Sequence, residues 1–208
     1  MANGAAPIRA VVFDIGGVLE TTPPPGVSDA WEARLGLAAG ELDGRLSDVW
    51  TAGNIGAITE DDVHREITTR LGLDDATLRA FLDDLWTEYL GTLNVELTGY
   101  FAGLRPRYRT GILSNSFVGA RERECGRYRF DELADLIVYS HEVGMSKPDP
   151  RIYELTWQRL AVRPEEMVFL DDVEPFVAAA AALGIQAVRF TDTAQAIADL
   201  DAILTGGS

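Results

Sequence analysis

The sequence holds a single cysteine, Cys125, and only two histidines, His64 and His141, among 208 residues. One thiol cannot close an intrachain disulfide, so the fold rests on its core and a reducing compartment is expected. So few Cys and His exclude the thiolate and imidazole clusters that hold zinc. Positive charge is also scarce, with 18 Lys and Arg against 33 Asp and Glu and a formal net charge of -15. That deficit excludes nucleic acid and an anionic membrane surface as partners, since both need a basic face. It does not exclude a small anion, because a metal ion or a local cluster reverses the field inside a site. Long apolar runs are missing too. The longest, residues 177–185, is about half a membrane span. No leader pattern is read near the start, where Arg9 alone precedes an apolar stretch that Asp14 interrupts, so a cytoplasmic location is expected. There is no internal repeat and no low-complexity tract.

What is present is an apolar content of 47%, ample for a hydrophobic core, on a length that suits one sizeable domain or a core with a smaller insertion. The most informative segment is Arg9-Ala10-Val11-Val12-Phe13-Asp14-Ile15-Gly16-Gly17-Val18-Leu19. Its β-branched and aromatic run, closed by glycines, predicts a buried strand. In open α/β sheets ligands bind beyond the carboxyl ends of the strands, which is where Asp14 falls. Gly16 and Gly17 let backbone groups approach a ligand closely.

Thr21-Thr22-Pro23-Pro24-Pro25-Gly26 reads as a stiff linker. Residues 28–89 are helical in pattern and show no strand, with Ser28 as the expected first N-cap, a capping box at Thr59-Glu60-Asp61-Asp62 and a further cap at Asp74. After about residue 93 strands and helices alternate: helix 96–108, strand 110–113, helix 119–128, strand 136–139, helix 150–160, strand 167–170, helix 176–183, strand 187–190 and helix 193–204. Strands separated by helices imply right-handed crossovers and a parallel sheet. The expected fold is therefore α/β, a doubly wound parallel sheet, with residues 1–20 and 94–208 as its core and 21–93 as an inserted helical unit.

Four strand ends carry polar residues: Asp14, then Ser114-Asn115-Ser116, then the loop leading to Lys147, then Asp171-Asp172. In a parallel sheet these ends share one edge and converge on one crevice. Three carboxylates crowded there repel one another, and a divalent cation relieves this. Hard oxygen ligands without His or Cys select Mg²⁺. Lys147 adds a compact positive charge suited to phosphate or to an aspartyl nucleophile, and Ser114 and Asn115 add neutral donors. Carboxylate, metal, lysine and hydroxyl together match phosphoryl transfer through an aspartyl phosphate.

Four segments, in order around the helical insertion, resemble the motifs of the haloacid dehalogenase superfamily: Phe13-Asp14-Ile15-Gly16-Gly17-Val18-Leu19, Leu113-Ser114-Asn115-Ser116, Ser146-Lys147-Pro148-Asp149-Pro150-Arg151-Ile152-Tyr153 and Phe169-Leu170-Asp171-Asp172. The chain is similar, over nearly its whole length, to the subgroup with a helical cap inserted after the first motif. The resemblance implies a Rossmann-like core and a Mg²⁺-dependent phosphatase of a small phosphorylated metabolite. It implies Asp14 as nucleophile and metal ligand, with the Gly16 carbonyl as a further ligand. Ser114, helped by Asn115, would hold the phosphoryl group beside Gly16 and Gly17, and Lys147 would order both Asp14 and that group. Of the acidic pair, Asp172 would bind the metal directly, with Asp171 beside it or one shell out. The helical unit would be a cap that sets specificity, and the protein a monomer or homodimer.

Two positions depart from the pattern. Gly16 stands where most phosphatases of the family carry an aspartate that protonates the leaving group, which favours acyl or anomeric phosphates or a replacement acid. Phe176 stands where a polar residue often orients a metal water or the lysine, which a phenyl ring is expected not to do. His141 is the candidate replacement acid, and Glu20 and Thr21 are candidate substrate contacts. Trp31, Trp50, Trp86 and Tyr89 are read mainly as packing, and His64 as a surface residue. Two rival functions follow from the same residues. One is a catalytically impaired binding or regulatory protein, motivated by Gly16 and Phe176. The other is a metal-free 2-haloacid dehalogenase, against which Asp171 and Asp172 count.

Overall fold

A computed structural model describes residues 6–206; the outermost residues of the expected core segments, 1–5 and 207–208, lie outside it. Strand β1 (Ala10–Phe13) leads to a two-residue strand β2 (Glu20–Thr21) and then to helices α1 (Val27–Leu35), α2 (Glu41–Asn54), α3 (Glu60–Leu71) and α4 (Asp75–Leu90). Strand β3 (Thr92–Leu93) returns the chain to α5 (Val95–Gly103), β4 (Arg109–Ser114), α6 (Ala120–Tyr128), α7 (Phe130–Leu133), β5 (Leu136–Tyr139), α8 (Ser140–Val143) and α9 (Pro150–Arg159). Strand β6 (Met167–Asp171), α10 (Glu174–Ala182), β7 (Gln186–Arg189) and α11 (Thr193–Gly206) complete the chain.

Five strands form one sheet in the order β5-β4-β1-β6-β7, every pairing parallel. The chain builds outward from β1 through β4 and β5, then returns to the other side of β1 for β6 and β7. The carboxyl end of β1 therefore sits where the winding reverses, the place where such sheets bind ligands. Strand β1 is buried on both faces: Val11 and Phe13 belong to one apolar cluster with Phe101, Val168 and Leu200, Ala10 and Val12 to another with Ile152, Phe169 and Ala180. That is why its sequence is a continuous apolar run rather than an alternating one.

Helices α1 to α4 gather around Trp31, Leu46, Ile67 and Phe81, a third cluster that also takes in Phe117 and Val118 from the loop after β4. The chain enters and leaves this unit through an antiparallel neck, Glu20 paired with Leu93 and Thr21 with Thr92. No helix among the described residues is long and apolar enough to cross a membrane.

The capping box at Thr59 and Asp62 and the cap at Asp74 are formed, but Ser28 is not the first N-cap. Helix α1 begins at Val27 because Glu88, at the end of α4, accepts hydrogen bonds from the Gly26 and Val27 amides at 2.6 and 2.9 Å. Those orphan donors of the first turn are satisfied from 62 residues away, and Ser28 instead hydrogen-bonds Asp43. Helix α5 ends at Gly103 rather than near 108, because Pro106 disfavours helical backbone in the residue before it.

Phe101 is fully buried, with its ring 4.7 Å from that of Phe13 at the end of β1. Phe101→Ala should lower unfolding stability by about 3–5 kcal/mol in urea titrations; a loss within experimental error would show that this side of the sheet repacks freely.

Candidate active site

Asp14 follows β1 directly, and its amide donates to the Leu170 carbonyl at 2.9 Å, so the aspartate is fixed between β1 and β6. Its Oδ1 accepts from the Ile15 amide at 2.8 Å and from Lys147 Nζ at 2.9 Å. The same ammonium reaches Asp171 Oδ2 at 2.6 Å, and the other oxygen of Asp171 accepts from the Val173 amide at 2.8 Å. The Lys147 and Asp171 side chains are fully buried. Burial pushes the Asp14 carboxyl up to about 7; the Lys147 charge opposes this and the Asp171 charge adds to it.

Asn115 sets the position of this lysine. Its Oδ1 accepts from the Lys147 amide at 2.7 Å and its Nδ2 donates to the Lys147 carbonyl at 2.9 Å. Besides lining the two clefts at Gly16, Asn115 thus grips the Lys147 backbone from both sides. Phe176 also differs from expectation. Its ring centroid lies 5.2 Å from Lys147 Nζ, and that of Phe169 lies at 5.4 Å. Two aromatic rings thus help hold the cation, as cation–π attraction allows in a desolvated setting.

One oxygen from each of Asp14, Asp171 and Asp172 lies within 4.8 Å of the others. This all-oxygen set suits a hard divalent cation and offers nothing to a soft one. Gly17 makes room for the third carboxyl: its φ is +76°, and a Cβ there would lie 2.3 Å from Asp172 Oδ2. Burial and the charge on Asp171 raise the Asp172 carboxyl above its ordinary range. Gly16 borders open space, its missing Cβ meeting only Thr22 Oγ1 at 4.0 Å.

Two clefts meet at Gly16. One, of 520 Å³, is lined by Asp14, Gly17, Thr21, Asp172 and Phe176; the other, of 300 Å³, by Ser114, Glu20, Glu124, Leu85 and Tyr89, and Asn115 borders both. The Ser114 hydroxyl makes only a long 3.3 Å bond to the Asn115 carbonyl, so it remains oriented by little else. Glu20 and Thr21, named from sequence as substrate contacts, line the two clefts.

Sequence reasoning missed Glu124, which gives no signal because it stands in a highly charged helical stretch and yet is buried. Tyr139 donates to it at 2.5 Å, and burial raises its carboxyl to about 7. Glu20 is 1% exposed, and its Oε1 has no hydrogen-bond partner among the described residues. Burial first, then the charge on Glu124, pushes the Glu20 carboxyl up to about 9. His141 lines neither cleft. Its Nδ1 lies 2.7 Å from Ser116 Oγ and its ring stacks near Tyr139, so it joins the seam beneath the helical unit. His64 pairs with Glu60 on the surface of α3, and Trp31 is buried in the helical cluster with its indole NH on Asp84.

A family model for haloacid dehalogenase-like hydrolases matches residues 8–184. A sesquiterpene phosphatase of Aspergillus oryzae is 30% identical over 190 residues, covering 89% of this chain and 91% of that protein. Mouse acyl-CoA dehydrogenase family member 10 is also 30% identical across 97% of this chain, which spans only 20% of that protein's length. A haloacid dehalogenase family enzyme of Bacteroides thetaiotaomicron, crystallised with magnesium and inorganic phosphate, superposes with a TM-score of 0.76 at 23% identity, covering 88% of this chain and 94% of that one. At that identity the likeness speaks for the fold.

The raised Glu20 carboxyl carries a stability consequence. Folded protein retains a proton that the unfolded chain releases, so stability falls as pH rises from the ordinary carboxylate range toward about 9. Glu20→Gln cannot ionise, so its Tm should decline less than that of the wild type between about pH 5 and about pH 9. Equal declines in parallel thermal melts would contradict the buried, partnerless state of this group.

Proposed function

The chain belongs to the haloacid dehalogenase-like hydrolases, and we propose that it is a magnesium-dependent phosphatase of a small phosphorylated metabolite. The observation that carries this reading is the buried Lys147 ammonium joining Asp14 to Asp171, with Asp172 inside the same 4.8 Å oxygen cluster. The sesquiterpene phosphatase relative supports the same reaction class.

In this reading a carboxylate oxygen of Asp14 attacks phosphorus in line with the leaving oxygen, forming an aspartyl phosphate that water then hydrolyses. Lys147 opposes the burial that raises the Asp14 carboxyl, orients it, and offsets charge on the phosphoryl oxygens. Asn115 and the rings of Phe169 and Phe176 hold Lys147 in place for that task. Ser114 donates its hydroxyl to a phosphoryl oxygen, and the backbone at Gly16 and Gly17 lets the group approach closely. Asp14, Asp171, Asp172 and the Gly16 carbonyl would hold Mg²⁺, which when bound supplies charge neutralisation for the phosphoryl group. The helical segment 21–93 acts as the cap over the clefts. Because Gly16 carries no acid, leaving groups that depart without a proton, such as acyl and aryl oxides, are the ones this site handles.

Wild-type protein should release phosphate from acetyl phosphate in the presence of Mg²⁺ and lose that activity with chelator. Asp14→Asn should reduce the rate by at least about 10³-fold, as removal of an essential nucleophile does. Turnover persisting in Asp14→Asn would remove Asp14 as the nucleophile. Halide release from a 2-haloacid that survives chelator would favour the dehalogenase instead.

A further inference from the structure

A third cavity, of 230 Å³, lies among α1, α2 and α4 of the helical unit and is closed on one side by Phe117 from the loop after β4. Its walls include Trp50, Phe81, Leu85, Trp86, Tyr89 and Phe117. Leu85 and Tyr89, four residues apart on one face of α4, also line the 300 Å³ cleft that holds Ser114. The cavity therefore adjoins the phosphoryl end of the site across two side chains. Phe117 comes from the loop just after Ser114, with its ring 5.7 Å from that of Trp50 and 6.4 Å from that of Trp86. Helix α2 admits this ring only because residue 53 is glycine: a Cβ there would lie 2.2 Å from the Phe117 ring.

No Lys or Arg lines the cavity, and its polar residues are Ser28, Asp43 and Asn54, with Tyr89 among the aromatic walls. An apolar cavity of about 150 Å³ admits benzene, so this one, of 230 Å³ and open to solvent at Asp43 and Asn54, has room for a fused two-ring body. A polyol would lose its hydration against these walls and find few partners in return.

We infer that this chamber receives the leaving-group end of the substrate, and that the substrate class is the monophosphate of a ring-sized apolar phenol or carboxylic acid. The inference rests on the phosphatase reading for the phosphoryl end and goes beyond it in naming the organic portion. The aromatic walls of α2, α4 and the Phe117 loop hold the apolar body while Ser114 and Asp14 face the phosphoryl group. Selectivity between two substrates of equal leaving-group acidity then follows the apolar surface that each buries.

The test compares kcat/KM for 1-naphthyl phosphate and phenyl phosphate, whose leaving groups are of similar acidity, with Mg²⁺ present. The wild type should prefer the naphthyl ester by at least about 10-fold, and Leu85→Trp, which fills the chamber, should bring the ratio close to one. A ratio near one in the wild type, or a preference that survives in Leu85→Trp of native circular dichroism, overturns the inference. Calorimetry on wild-type protein with 1-naphthol and with ribitol needs neither turnover nor a variant. Saturable binding of 1-naphthol alone supports the chamber, and absence of that binding overturns it. Binding of 1-naphthol with no hydrolysis of any phosphate ester overturns the phosphatase reading and leaves the chamber standing.

Discussion

The buried ammonium of Lys147 is the interaction on which the rest of the site depends. It stands between Asp14 at the end of β1 and Asp171 at the end of β6, and it opposes the burial and the Asp171 charge that raise the Asp14 carboxyl. A lysine buried to this degree needs partners that replace its water. Two carboxylates and two aromatic faces do so here. The backbone of that lysine is gripped in turn by Asn115, just beyond β4. Three strand ends are thereby tied to one charge, and a displacement of any of them is felt at the proposed nucleophile.

The glycines after Asp14 serve opposite ends. Gly17 is demanded by packing, because its positive φ and the Asp172 carboxyl leave no place for a side chain. Gly16 is not so constrained; it faces open space where the two clefts meet. The site thus retains its anionic and cationic groups and omits a proton donor at that position. The helical unit closes the other side with α4, whose Glu88 caps α1 and whose Leu85 and Tyr89 border the clefts. One helix therefore couples the stability of the insertion to the shape of the site.

Much of this was legible in the sequence because it is local. A doubly buried strand must be a continuous apolar run, and the β1 segment is one; caps at Thr59 and Asp74 need only the residues that follow them. The convergence of Asp14, Lys147, Asp171 and Asp172 follows from parallel topology alone. What escaped depends on partners remote in the chain. Helix α1 begins where Glu88 caps it, a contact spanning 62 residues that no nearby residue announces. The burial of Glu20 and Glu124 arises from the neck and from packing against Tyr139, so Glu20 was legible only as a candidate substrate contact and Glu124 gave no signal. Phe176 looked like a lost polar group, because a ring's value to a cation is visible only once the cation is beside it.

The central claim is that Asp14, poised by Lys147, attacks phosphorus and carries the phosphoryl group covalently. Quenching the protein during turnover of acetyl phosphate, reducing with borohydride and mapping the peptides tests it directly, because reduction of an acyl phosphate converts aspartate to homoserine. The account predicts homoserine at position 14, formed only when substrate is present. Steady phosphate release with unmodified Asp14, or label at another carboxyl, would contradict it.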